Sequence, residues 1–114
     1  MRSTRDVFED HLQLAKAGDV ETDLARNYAK DVKVMIREGV FEGHEGVRAL
    51  AHRLEQELPD PRFHYETTLV AGDVAFLEWT AESRTHRVTD GADSFLVREG
   101  KIQVMTIHYT LLPS

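Results

Sequence analysis

Apolar residues recur at helical spacing in the first part of the chain and alternate with polar ones in the second half. Val7, Phe8, His11, Leu12 and Ala15 share one face at i, i+3, i+4 spacing, which predicts a first helix capped by Thr4 and ended by Gly18. Asp19 caps a second, short helix running through Leu24 and Ala25 towards Tyr28. Residues 32–37 change to strand chemistry, with Val34 and Ile36 on one face. Gly39 and Gly43 bracket a short extended piece holding Val40 and Phe41. His44-Glu45-Gly46 then opens a third helix with Val47, Leu50, Leu54 and Leu58 as its buried stripe. Pro59-Asp60-Pro61 stops that helix, since two prolines cannot continue it.

From Phe63 onward the alternation reads as strand. Residues 63–71, 74–84, 92–98 and 102–112 are separated by turns, among them Gly72-Asp73 and Arg98-Glu99-Gly100-Lys101, and predict a four-stranded antiparallel meander. Helices first and a curling sheet afterwards is an α+β arrangement, with the helices on one face of the sheet. The 114 residues form a single domain, 1–114, without repeat or linker.

Charge narrows the partners. The net charge is -6, and the arginines, such as Arg2, Arg5, Arg84 and Arg87, are scattered rather than striped, which excludes a nucleic-acid surface. No apolar run approaches the roughly 20 residues that span a bilayer, and the N-terminus lacks a signal-peptide core, so no membrane partner and a cytoplasmic location are expected. The absence of cysteine removes thiolate chemistry and cysteine zinc sites. His64 and Glu66 share a strand face but have no third ligand in view, and no glycine-rich phosphate loop is present, so neither a metal nor another cofactor is expected.

Two residues carry candidate chemistry. Asp93 falls inside a strand that otherwise reads Phe95 and Val97 on its own face; burying it favours its neutral, hydrogen-bond-donating form. The alternative is an exposed aspartate at a frayed strand start beside Gly91. His11 sits on the apolar face of the first helix, either as a core histidine with one satisfied nitrogen or as the acid–base partner of Asp93. Ala75, Leu77, Trp79 and Ala81 alternate inward, and Glu78, Thr80 and Glu82 outward. His44 is placed at the start of the third helix and His108 on the convex side of the sheet.

Ala17-Gly18-Asp19, Tyr28-Ala29-Lys30-Asp31-Val32, Phe41-Glu42-Gly43-His44-Glu45-Gly46-Val47 and Asp93-Ser94-Phe95 with Gly100-Lys101-Ile102 follow one another along the chain. In that order and spacing they resemble the NTF2-like superfamily, which includes steroid delta-isomerases and SnoaL-like polyketide cyclases. The resemblance covers almost the whole chain. It implies a cone: three N-terminal helices packed in the concavity of a curved, mostly antiparallel sheet, around an apolar cavity open at one end.

The steroid-isomerase pattern pairs a carboxylate base on strand one with an oxyanion site made of a helix-one tyrosine and a protonated late-strand aspartate. Carried over by position, the aspartate falls on Asp93, the tyrosine on His11 and the base on Ile36, which cannot take a proton. That departure argues against a true steroid isomerase; Glu38, two residues on, is a substitute near the strand end. A gap-free match would turn Glu78 inward as the base, but burying Glu78 and Glu82 unpaired is costly, so Trp79 is expected inside, with a bulge reconciling the two.

Phe95, Met105, Ile107 and Tyr109 match cavity-lining positions of the family. Tyr28, Ile36, Leu54 and Trp79 complete the expected wall. The resemblance thus implies a pocket for a small hydrophobic or polycyclic molecule, with proton transfer next to a carbonyl if the protein is an enzyme. The alternative is a non-catalytic ligand-binding or dimerisation module that has lost its base. An epoxide hydrolase of the same superfamily would need an Asp–Arg–Asp group, and no matching arginine and second aspartate fall on inward positions beside Asp93. A homodimer is expected through the convex face that carries Glu78, Thr80, Leu96, His108 and Thr110.

Overall fold

The computed structural model describes residues 1–114. The chain runs α1 (Thr4–Ala17), α2 (Val20–Asn27), β1 (Tyr28–Ile36), β2 (Gly39–Glu42), α3 (Gly43–Glu57), β3 (Arg62–Ala71), β4 (Val74–Glu82), β5 (His86–Arg98), β6 (Lys101–His108) and β7 (Leu112–Pro113). The cap of α1 lies one residue before the expected Thr4. Ser3 Oγ accepts from the Asp6 backbone N–H at 3.1 Å, and Asp6 returns the bond to the Ser3 N–H at 3.2 Å. Gly18, in the left-handed region at φ 73°, closes α1, and Asp19 caps α2 through the Thr22 N–H.

The strands form one sheet in the order β2-β1-β6-β5-β4-β3, with β7 beside β5. The expected meander is present as β3 to β6, and β6 continues it by pairing in parallel with β1. Three bulges interrupt the antiparallel pairs and bend the sheet. An extra residue enters β3 between Tyr65 and Thr67, β5 between Val88 and Gly91, and β6 between Ile102 and Val104. The resulting concavity holds the helices, and its core includes Val7, Phe8, Leu24, Val32, Phe95 and Ile102.

Two of these bulges flank Trp79, and they leave its side chain inward while Glu78 stays exposed. The indole lies over Gly91, its register partner on β5. A Cβ at Gly91 would stand 2.3 Å from the Trp79 ring, so this strand position admits only glycine without movement. Phe63 and Tyr109 pack on the same indole, at 5.7 and 5.6 Å between ring centroids. We expect Gly91→Ala to lower the unfolding free energy by about 1–3 kcal/mol through overpacking. Chemical denaturation of the variant beside the wild type checks this, and an unchanged midpoint contradicts it.

Candidate active site

The first two helices carry polar residues on their inward stripes. On α2 that stripe is Val20, Asp23, Leu24 and Asn27 at i, i+3, i+4, i+7, and Asp23 and Asn27 are buried with Leu24. Packing of α2 along α1 brings Asp23 to His11. The imidazole Nδ1 and Asp23 Oδ2 are 2.7 Å apart, and both side chains are buried. A carboxylate only accepts, so the bond puts the proton of a neutral imidazole on Nδ1. Asp23 Oδ1 accepts a second bond from Asn27 Nδ2 at 2.8 Å. The expected acid–base pair is therefore corrected: the carboxylate on His11 is Asp23, not Asp93.

His11 Nε2 makes no hydrogen bond within the protein, yet no side-chain nitrogen or oxygen is buried without a partner. This nitrogen therefore opens onto the cavity that His11 lines. The cavity measures about 530 Å³. Its inner end is built by the buried His11, Asp23, Tyr28, Val34, Val47 and Met105; its mouth by Lys16 and Gly18 at the end of α1 and by the Pro59-Asp60-Pro61 segment. Leu50 and Leu54 of α3 are only half-buried because they face this space. Of the expected wall, Tyr28, Leu54, Met105 and Ile107 line this cavity.

Tyr28 brings a second polar group. Its ring stands edge-on to His11 at 5.8 Å, and its hydroxyl has only a weak contact, Met105 Sδ at 3.5 Å. Burial, and then the nearby Asp23 and Asp93 charges, push its pKa well above the ordinary value, so the O–H stays a donor at ordinary pH.

Ile36 and Tyr109 lie elsewhere. They line a smaller cavity of about 290 Å³ that shares Leu50, Leu54 and Ile107 with the first. There the Tyr109 hydroxyl donates to Glu57, and Arg53 pairs with Glu57 and with Glu38. Glu38 is thus a rim residue in an ion pair, not a substitute base. Trp79, Phe95 and Asp93 line neither cavity. Phe95 backs the site by stacking on His11 at 5.1 Å and Phe8 at 5.3 Å. His64 and Glu66 are exposed, and no three His, Asp or Glu side chains gather to hold a metal ion. His44 stands in the first turn of α3 with Nε2 3.2 Å from the Tyr28 carbonyl; His108 is exposed beside Asp90.

Asp93 sits in mid-strand rather than at a frayed end, buried, with Oδ1 accepting from Trp79 Nε1 at 3.0 Å. Burial raises its pKa from 3.8 to about 7, against the lowering effects of the Trp79 bond and the His11 charge.

A family model of the SnoaL-like domain matches residues 8–105. The chain belongs to the SnoaL-like domain family. This SnoaL-like domain is similar to a de novo designed protein with a curved β-sheet, at a TM-score of 0.78 and 23% identity over 94% of this chain and 84% of that one. A candidate ketosteroid isomerase from Kribbella flavida DSM 17836 gives 0.76 and 19% over 94% and 77% of the two chains. A candidate polyketide cyclase from Sinorhizobium meliloti gives 0.74 and 15% over 90% and 94%. Identities this low make the likeness one of fold alone. No curated protein matches the SnoaL-like domain in sequence, and none of its helices is long and apolar enough to cross a membrane.

The buried carboxyl of Asp93 gives the domain a pH signature. Between pH 3.8 and about 7 the folded state holds this proton more often than the unfolded chain does. The stability it contributes is therefore full below pH 3.8 and is lost as pH rises to about 7. Asp93→Asn keeps an acceptor for Trp79 and removes the titration. Its melting temperature should match the wild type near pH 4 and exceed it at pH 8 (approximate settings either side of that window); a difference independent of pH contradicts this.

Proposed function

We propose that this SnoaL-like domain binds a small, largely apolar carbonyl compound and moves a proton next to the carbonyl, with His11 as the base. The observation that carries the reading is the 2.7 Å bond from His11 Nδ1 to Asp23 at the inner end of an apolar cavity. It leaves the Nε2 lone pair facing the space a ligand would fill, and it supplies a carboxylate to stabilise the imidazolium once the proton arrives. A cavity of about 530 Å³ lies in the range that takes a molecule of two to three fused rings.

In this reading the ketone oxygen takes the Tyr28 O–H in place of the weak Met105 contact. Nε2 removes a proton from the carbon beside the carbonyl, and the electron pair moves into the C–O bond as an enolate that Tyr28 stabilises. Return of the proton to the same carbon exchanges it; return to a conjugated carbon isomerises the substrate. The departure at Ile36 costs this route nothing, because the base stands on α1 instead of β1. We also assign homodimerisation to the convex face of the sheet, where Thr80 of β4, Leu96 of β5 and Thr110, two residues past β6, are half-buried. Sedimentation showing only the 13.0 kDa monomer would count against that assignment.

Exchange of the α-protons of 2-tetralone for deuterium, followed by NMR, tests the chemistry without knowledge of the natural substrate. We expect the wild type to accelerate exchange over buffer, and His11→Ala and Asp23→Asn each to lose about 100-fold or more of that acceleration. Binding of 2-tetralone without accelerated exchange would favour the non-catalytic module.

A further inference from the structure

We infer that Asn27 is a positioning residue that sets which nitrogen of His11 faces the cavity, acting through Asp23. The inference deepens the proton-transfer reading and rests on it. Asn27 ends α2, is fully buried, and lines neither cavity. Its Nδ2 donates to Asp23 Oδ1 and to Asp10 Oδ2, each at 2.8 Å, while its Oδ1 accepts from Arg2 Nη1 at 2.8 Å. Only one orientation of the carboxamide fits. Reversed, its carbonyl would meet two carboxylates and its NH2 group a guanidinium. Arg2, also bonded to the carbonyls of Arg26 and Gly100, therefore fixes which way Asn27 points.

Asp23 receives two side-chain donors, His11 on Oδ2 and Asn27 on Oδ1. A buried carboxylate left with a single neutral donor is poorly stabilised. It would hold a proton instead and donate that proton to His11 Nδ1. The neutral imidazole would then carry its own proton on Nε2, and the cavity would face an N–H donor instead of a lone pair. Asn27 keeps Asp23 an acceptor and thereby keeps Nε2 a base, although Asn27 touches neither the imidazole nor the cavity.

Two variants test this. Asn27→Asp is nearly isosteric, removes the donors and sets another carboxyl group against Asp23. Arg2→Met removes a half-exposed side chain and the donor on Asn27 Oδ1, which loosens the amide's hold on Asp23, so it carries the test if the first variant does not fold. Ring nitrogen and carbon NMR shifts of His11, read where the ring is neutral, separate the two tautomers without any substrate present. The wild type should be the Nδ1–H form. Asn27→Asp should move the tautomer ratio towards Nε2–H by about tenfold or more, as for a lost charge-assisted hydrogen bond. Arg2→Met should move it less in the same direction, and the rate of 2-tetralone exchange should fall in parallel. An Nδ1–H ring in both folded variants, or an Nε2–H ring in the wild type, overturns the inference. The expected tautomer shift in a protein that exchanges no proton of 2-tetralone upholds Asn27's control of His11 and removes only the reading of the site as proton-transferring.

Discussion

Two aspartates lie buried inside an apolar cone, and the polar structure of the protein follows from satisfying them. Each is solved differently. Asp23 keeps its acceptor role through His11 and Asn27, and its side faces the cavity. Asp93 has one donor, the indole of Trp79, and sits behind the wall, where burial favours its neutral form. The same low-dielectric interior thus yields one carboxyl that holds an imidazole at the cavity and one that changes charge near neutral pH.

Sheet curvature makes these placements possible. Bulges on either side of Trp79 turn β3 and β5 around β4, and the bare Cα of Gly91 lets the indole lie flat and reach Asp93. Tyr65 of β3 holds α1 against this sheet, donating to the Leu12 carbonyl at 2.9 Å, with burial and the two aspartates raising its pKa to about 12. Resemblance of the cone to a designed curved-sheet protein separates architecture from chemistry. The frame is general; in this chain the His11, Asp23, Asn27 and Tyr28 cluster lies within it.

The element order was legible because local chemistry and tertiary packing agree at nearly every step. Gly18, Asp19 and the paired prolines punctuate where expected, and the period-two pattern of β4 kept Trp79 inward. The site was legible only in part. His11 stands out as a lone polar residue on an apolar stripe. Asp23 was missed, although Val20, Asp23, Leu24 and Asn27 form an inward stripe at the same spacing that marks α1. Two polar residues there signal a buried network, but a helix of eight residues gives little periodicity to weigh. Asp93 drew attention correctly as a buried acid, yet alternation alone says which face it takes, not which neighbour satisfies it. Trp79, the register partner of Gly91, supplies that neighbour across the two strands.

The central claim is that a flat carbonyl ligand seats against His11 Nε2 and the Tyr28 hydroxyl. 2-Naphthol is a flat aromatic analogue of the enol of 2-tetralone, so adding it to labelled wild-type protein and mapping the NMR shift changes tests that claim directly. The account predicts saturable changes centred on the His11 and Tyr28 rings and the Met105, Val47 and Leu54 methyl groups. Changes confined to the convex face or to the smaller cavity around Tyr109 and Glu57, or no saturable change at all, would contradict it.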